Sequence, residues 1–203
     1  MKVALIGATG NVGSRILAEL LSRKHTVTAI ARHPEKAPAR PGVTAKRGDV
    51  FDKAGLTALL AGHDAAISAV RFSGSDPRTL IDAVKAAGLR RYLVVGGAGS
   101  LEVAPGKKLI HTPEFPAAYK PEAGKGGEFL QLLRAEKDLD WIFLSPSAMI
   151  AAGQRTGKFR LGGDQLLTDA SGKSSISYED FAVALVDELE RPAHSRRRFT
   201  VGY

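Results

Sequence analysis

The chain of 203 residues contains no cysteine. This absence excludes disulfide bonds, thiolate metal sites and a cysteine nucleophile, and it suits a reducing compartment. No apolar run approaches the roughly 20 residues that a membrane-spanning helix requires. The apolar stretch near the amino terminus is four residues long, from Val3 to Ile6, and leads directly into glycines, so it is a poor signal peptide. We therefore expect a cytoplasmic protein with no membrane partner.

Aromatic residues are also scarce, at 6% of the chain, whereas the formal net charge is +8. Such a charge raises the hypothesis of an anionic partner. The basic residues are scattered, apart from the run from Arg196 to Arg198, and no aromatic residues alternate with them as a nucleic-acid stacking surface requires. We expect a solvated basic surface that does not bind nucleic acid, with part of its charge available to a phosphate-bearing cofactor.

Short apolar runs alternate with segments of helical periodicity, which is typical of βαβ units and a parallel sheet. The predicted strands are 3–6, 27–31, 43–46, 65–70, 92–95, 141–144, 166–168 and 199–201. Asp52 and Asp76 are predicted helix N-caps, and a last helix is predicted from Tyr178 to Glu190. Without a linker or repeat, the pattern predicts one α/β domain, residues 1–203, with a doubly wound Rossmann sheet and a small C-terminal substrate-side region. Monomer and homodimer are both compatible with it.

The segment VALIGATGNVGSRILAELL has three glycines between the first strand and an amphipathic helix. Gly7 allows the tight turn, Gly10 lets the backbone approach a pyrophosphate, and Gly13 allows close helix–strand packing. Backbone amides of this loop would point at the anion, assisted by the helix dipole. The residues predicted to contact the cofactor here are Gly7, Thr9, Gly10, Asn11, Val12 and Gly13.

The end of the second strand predicts which dinucleotide is bound. Proteins that bind NAD need an acidic residue there for the ribose 2′-hydroxyl. This chain has Arg32 and no acid before Glu35. A guanidinium forms a bidentate contact with a 2′-phosphate, so NADP(H) is favoured over NAD(H). The alternative is that Arg32 is a solvated loop residue.

The GATGNVG loop, the RGDVFD segment after the third strand and the SISYEDFA segment near the end together resemble the atypical short-chain dehydrogenase/reductase superfamily. Within it, the chain is similar over essentially its whole length to the compact NmrA-like NAD(P)H-binding proteins, which include NADH-flavin reductases and the biliverdin reductase B type. The resemblance implies further cofactor contacts. These are Asp49 and Val50 at the adenine, Ala69 and Val70 at the adenine ribose, Gly96 and Gly97 at the nicotinamide ribose, and Pro146 beside the nicotinamide ring.

The alternative for Asp49 is that its side chain only stabilises a turn and does not contact the cofactor.

The chain also departs from the related enzymes that oxidise or epimerise alcohols. Those enzymes use a serine or threonine after the fifth strand and a Tyr-x-x-x-Lys motif in the next helix.

Lys125 matches the lysine of that motif, which by the resemblance holds the nicotinamide ribose, but Pro121 stands at the tyrosine position and Gly97 at the serine position. Tyr119 lies two residues too early, and Ser100 three residues too late. Sugar-nucleotide epimerase, dehydratase and alcohol dehydrogenase chemistry are therefore disfavoured.

Hydride transfer to a flavin or quinone needs mainly the correct orientation of two flat rings. The long segment from Gly96 to Pro121 would form one wall of the substrate pocket, because loops of this length are usually functional. Phe115 and Tyr119 are candidate stacking surfaces there, or ordinary loop packing. His111 is a candidate proton donor, or an exposed histidine without a role.

The sequence favours an NADPH-dependent reductase of a small planar acceptor such as a flavin or quinone. Lys125 and His111 are its candidate catalytic residues. A non-catalytic NADPH-binding sensor is the main alternative, because the missing tyrosine fits it equally well. A sugar-nucleotide epimerase or dehydratase is the third.

Overall fold

The computed structural model describes residues 1–203, and its main feature is an eight-stranded sheet. In chain order the elements are β1 (Lys2–Ile6), α1 (Asn11–Ser22), β2 (Thr26–Ala31), β3 (Val43–Arg47), α2 (Lys53–Leu60), β4 (Ala65–Ser68), α3 (Pro77–Ala86), β5 (Arg91–Val95), β6 (Glu102–Ala104), β7 (Lys107–Lys108), α4 (Lys120–Ala135), β8 (Asp140–Ser145), β9 (Met149–Ala151), β10 (Arg160–Gly162), β11 (Ser175–Ser177), α5 (Tyr178–Glu190) and β12 (Arg197–Gly202). None of the five helices is long and apolar enough to cross a membrane.

The strand order of the sheet is β10-β12-β8-β5-β4-β1-β2-β3. Every neighbouring pair is parallel except β10 and β12, which are antiparallel. The predicted doubly wound Rossmann sheet is thus confirmed. From β1 the chain first builds outward through β2 and β3, and then crosses to β4 on the other side. This reversal opens a crevice at the carboxyl ends of β1 and β4, where open α/β sheets bind ligands.

Helices cover both faces of the sheet, and this explains the unbroken apolar runs of the inner strands. Val3 to Ile6 are all buried. Leu5 packs on the face that carries α1 and α5, whereas Ile6 packs on the face that carries α2, α3 and α4. Each large apolar side chain buried in this way contributes about 1.5–3 kcal/mol to folding.

The predicted N-caps are confirmed. The Asp52 carboxylate accepts a hydrogen bond from the Gly55 amide at 3.0 Å, so α2 begins directly after it. The Asp76 carboxylate accepts from the amides of Arg78 and Thr79 at the start of α3. These bonds satisfy helix amides that have no partner within the helix.

The C-terminal third differs from the prediction. The strand predicted at 166–168 is wrong, because these residues form no strand. The Leu166 amide instead donates a single hydrogen bond to the Glu102 carbonyl. Residues 149–177 contain three short strands, β9, β10 and β11, of which β10 pairs with β12 and β9 with β11. The long segment after β5 is also more ordered than predicted, because β6 and β7 form a hairpin within it.

Asp180 fastens the loop after β9 to α5. Its side chain is fully buried. The carboxylate accepts hydrogen bonds from the amides of Thr156 and Gly157, both at 2.8 Å, from the Thr156 hydroxyl and from the Tyr203 hydroxyl. A single carboxylate therefore holds the loop, the helix and the last residue together.

We predict that Asp180→Ala lowers the free energy of unfolding by about 2–4 kcal/mol, because it empties a buried position and leaves four donors of Thr156, Gly157 and Tyr203 without their acceptor. Chemical denaturation measures this loss. Asp82→Ala is the control, since its carboxylate is 54% exposed and pairs with Lys53 on the surface; it should change stability by less than about 0.5 kcal/mol. Equal losses in the two variants would contradict a structural role for Asp180.

Candidate dinucleotide-binding site

Packing around the glycine loop explains two of its three glycines. Gly7 has a φ of +84°, and a Cβ there would lie 2.5 Å from the Ala69 carbonyl oxygen. A Cβ on Gly13 would lie 2.1 Å from the Gly7 carbonyl oxygen. Both distances are far below van der Waals contact, so the turn fits against the end of β4 only with glycine at Gly7, and α1 fits against the turn only with glycine at Gly13.

Gly10 is different. Its φ is −75°, which any residue can adopt. A Cβ there would meet its nearest protein atom, the Gly7 carbonyl oxygen, at an ordinary 3.5 Å. The fold therefore does not require glycine at this position. A ligand whose atoms approach the backbone closely would require it.

The amino end of α1 has backbone donors without acceptors. Gly10 is the N-cap and provides no side-chain cap, and the first turn of the helix contains no acidic residue. The amides of Thr9, Asn11, Val12 and Gly13 have no acceptor within the protein. Together with the helix dipole, such amides favour a bound anion. The loop is thus built to hold a phosphate group.

Two adjoining cavities extend from this loop. The phosphate-loop cavity has a volume of about 390 Å³. Its lining consists of Ile6, Gly7, Thr9, Gly10, Ile30, Ala31, Arg32, His33, Lys36, Gly48, Val50, Ala69, Val70, Arg71 and Gly74. The outer cavity, of about 610 Å³, is lined by Arg32, His33, Arg47, Gly48, Asp49, Asp52, Gly55, Ala58 and Leu59. Three residues line both cavities, so the two form one groove beside the carboxyl ends of β1 to β4.

Most residues predicted for the adenosine half of the cofactor lie in this groove. Gly7, Thr9, Gly10, Val50, Ala69 and Val70 line the phosphate-loop cavity, Asp49 lines the outer cavity, and Arg32 lines both. Asn11, Val12 and Gly13 line neither cavity, but they supply three of the free amides. The Asp49 carboxylate accepts a hydrogen bond from the Phe51 amide at 2.9 Å, as in a turn. Its contact with adenine stays a prediction.

The residues predicted for the nicotinamide half line neither cavity. They are Gly96, Gly97, Lys125 and Pro146. A Cβ on Gly96 would lie 2.4 Å from the Phe143 ring, so packing against β8 already requires glycine there. Lys125 lies on α4 with its side chain 56% exposed, and its ammonium is 2.8 Å from the Glu128 carboxylate. The cofactor contacts of these residues stay predictions.

The other candidate groups of the substrate side also have defined positions. His111 is exposed, at the end of a short 3₁₀ turn. Tyr119 is 65% exposed and directly precedes α4. The Ser100 hydroxyl accepts a hydrogen bond from the Arg198 guanidinium at 3.2 Å. Ser100 therefore serves as an anchor between the long loop and β12.

Three cations of the groove were not predicted from the sequence. They are Lys36, Arg47 and Arg71, and with Arg32 they are exposed and have no acidic group within 4 Å. Arg71 directly follows the predicted pair Ala69 and Val70, which was an available signal. The unpaired cations give the groove a positive potential suited to a phosphorylated ligand.

Glu122 holds the turn that carries Arg71. From the first turn of α4, its carboxylate accepts hydrogen bonds from the amides of Phe72, at 2.7 Å, and Ser73, at 3.0 Å. Partial burial alone would raise the pKa of Glu122, but the hydrogen bonds from Ser73 and Phe72 and the charge of Arg71 outweigh it, so this pKa is below its usual value. Helix α4 is thereby joined to the wall of the phosphate-loop cavity.

The sheet order, the free amides of the glycine loop and the basic groove define a Rossmann-type dinucleotide-binding protein. The profile of a family described as NAD(P)H-binding matches residues 7–192. The uncharacterized protein YwnB of Bacillus subtilis (strain 168) is 43% identical over 215 residues, which covers 99% of this chain and 98% of YwnB.

Two solved structures are also similar. A candidate epimerase from Bacteroides thetaiotaomicron is 45% identical with a TM-score of 0.95, covering 100% of this chain and 96% of that one. A candidate NADH-flavin reductase from Streptococcus pneumoniae TIGR4 is 38% identical with a TM-score of 0.81, covering 100% and 99%. This chain belongs to the NAD(P)H-binding family.

The glycines give a prediction that separates folding from binding. Gly10→Ala should keep the melting temperature of the parent, because the added methyl group meets no close protein atom, and should lose NAD(P)H affinity, because the methyl group enters the cavity. Gly13→Ala should lower the melting temperature. Thermal denaturation with and without nucleotide measures both effects. A Gly10→Ala protein that binds nucleotide like the parent would contradict the predicted approach of the pyrophosphate.

The Glu122 anchor gives a pH prediction. Because its folded pKa is lowered, the carboxylate stabilises the fold fully above the ordinary glutamate pKa of about 4.3, and this contribution is lost as the pH falls through the lower folded value. Glu122→Gln should therefore lower the melting temperature by about 2–4 °C at neutral pH, which corresponds to roughly 1 kcal/mol. The difference from the parent should shrink as the pH falls below the ordinary glutamate pKa and vanish once the carboxylate of the folded protein is protonated. A difference that is independent of pH would exclude the charged anchor.

Proposed function

We propose that the protein is an NADPH-dependent reductase that passes a hydride to a small planar acceptor such as a flavin or quinone. The observation that carries the proposal is the combination of a built dinucleotide site with no acid–base tyrosine beside it. Bound NADPH would supply the hydride.

The donor set fits the cofactor. The four free amides of the glycine loop offer hydrogen bonds to a diphosphate, and Gly10, which lines the phosphate-loop cavity, has no side chain to hinder its approach. Arg32 follows β2 directly and has no acidic partner, while Glu35 pairs with His33 at 3.2 Å. A free guanidinium at this point, in place of a carboxylate, favours the 2′-phosphate of NADPH over the 2′-hydroxyl of NADH.

The acid–base groups of alcohol chemistry are lacking. Pro121 lies in the first turn of α4 and has no proton to give. Ser100 is bonded to Arg198, and Tyr119 lies one position before the helix, largely in solvent. A flavin or quinone acceptor needs no such donor at the moment of transfer, because its charge is delocalised over the ring and water supplies the proton afterwards.

Two relatives bear on the substrate. The Streptococcus relative is a candidate NADH-flavin reductase, which supports the planar acceptor. The Bacteroides relative is a candidate epimerase, but epimerisation through a keto intermediate needs the tyrosine and serine groups discussed above. A non-catalytic NADPH sensor would have the same site without an acceptor.

Turnover decides between a reductase and a sensor. We expect the parent protein to oxidise NADPH in the presence of FMN or a small naphthoquinone, followed by the absorbance of the reduced nicotinamide. The folded Gly10→Ala protein should be inactive in the same assay. If the parent binds NADPH tightly but reduces no acceptor of the panel, the reductase proposal fails and the sensor replaces it. Unchanged kcat and KM in Lys125→Ala would remove Lys125 from the mechanism.

A further inference from the structure

The outer cavity contains two arginines from neighbouring strands. In the register of the sheet, Arg47 at the end of β3 lies beside Ala31, the last residue of β2. Arg32 is the next residue of the chain. Because adjacent strands are about 4.8 Å apart, the backbones of the two arginines lie close together at the sheet edge. Both side chains line the outer cavity.

These two guanidinium groups have no counter-ion in the protein. Asp49 and Asp52 also line the cavity, but neither is within 4 Å of a guanidinium nitrogen. The Asp49 carboxylate accepts from the Phe51 amide, and the Asp52 carboxylate caps α2 through the Gly55 amide. Each acid is thus engaged with its own turn. The guanidinium donors, five N–H groups on each arginine, are left to solvent or to a ligand.

The least exposed arginines of the protein, in contrast, are paired with acids. Arg23, Arg91 and Arg198 each form an ion pair with a carboxylate at less than 3 Å. Two guanidinium groups that line one cavity repel each other, and an anion bound between them removes this repulsion. The N–H groups of two guanidiniums match the oxygens of a phosphate monoester, which can accept hydrogen bonds from both groups at once.

We propose that Arg47 and Arg32 together form a subsite for a phosphate monoester dianion in the outer cavity. Granted the NADPH-dependent function proposed above, this anion is the 2′-phosphate of the cofactor. Arg32 lines both cavities, so a dinucleotide held by its diphosphate at α1 reaches the outer cavity past this residue. Arg47 is then a specificity-determining residue that contacts NADPH and has no contact with NADH.

The test compares Arg47→Ala with the parent for four ligands: NADPH, NADH, adenosine 2′,5′-bisphosphate and adenosine 5′-monophosphate. Removing one charge-assisted contact should weaken NADPH and the bisphosphate by about 10-fold or more, and should leave the other two within about twofold. Titration calorimetry measures the affinities. Inorganic phosphate is a further ligand, and binding of phosphate to the parent as tight as that of the bisphosphate would overturn the assignment to the cofactor.

Arg40→Ala is the matched control, because Arg40 is an exposed arginine before the amino end of β3 and lines neither cavity. It should change none of the affinities. Arg47→Gln, which keeps the length of the side chain, should repeat the Arg47→Ala result if the alanine variant folds poorly. The double variant with Arg32→Ala should lose less than the product of the single losses, because both groups contact one phosphate.

The outcomes distinguish a failure of the two-arginine subsite from a failure of the proposed NADPH-dependent function. If Arg32→Ala abolishes the preference for NADPH while Arg47→Ala leaves it intact, the two-arginine subsite is wrong and the NADPH-dependent function stands. If Arg47→Ala weakens NADPH and NADH equally, Arg47 acts on the shared part of the cofactor and the inference also fails. A parent protein that binds neither nucleotide overturns both proposals.

Discussion

Four backbone amides without an acceptor, at Thr9, Asn11, Val12 and Gly13, are the feature on which the rest of the site depends. Backbone donors left without a protein partner are satisfied by water or by a ligand. Packing sets the direction of these amides. Gly7 turns the chain after β1 in the left-handed conformation that favours glycine, and Gly13 lets α1 pack closely against that turn. Close packing of one helix on one strand thereby creates an anion site at the sheet crevice.

The positive side chains of the groove favour the same kind of ligand as the free amides. Inside the fold, arginines are balanced by acids: Arg23 pairs with Glu19, and Arg91 pairs with the buried Glu188 at 2.7 Å. Along the groove the cations have no such partners. Part of the surplus of +8 therefore lies where the amides of α1 also favour an anion. Both features act on the same class of ligand, a phosphorylated nucleotide.

The sequence predicts the amino-terminal part well because its signals are local. The buried run of β1, the glycine spacing and the caps at Asp52 and Asp76 each depend on a few consecutive residues. The strands β9, β10 and β11 were missed because each has only three residues, too few to carry a clear periodicity. The incorrect strand at 166–168 shows the converse, since two leucines there suggested a strand that the structure lacks.

Within the site, too, local features were predicted from the sequence and long-range contacts were not. The loop from Gly7 to Gly13 is contiguous and was predicted, whereas Arg47 joins Arg32 only through the pairing of β2 with β3. Arg71 is held at the groove by Glu122, 51 residues further along the chain. Such partners depend on sheet order and on long-range anchors. Composition and spacing carry no information on them.

The most direct test of the account is an NMR titration of the ¹⁵N-labelled protein with NADPH, following the backbone amides. We expect large, saturable changes in the amide chemical shifts of Thr9, Asn11, Val12 and Gly13, because these donors lie at the amino end of α1 and gain an acceptor when the diphosphate binds. This expectation would be contradicted if NADPH bound and shifted amides elsewhere in the chain while these four stayed unchanged.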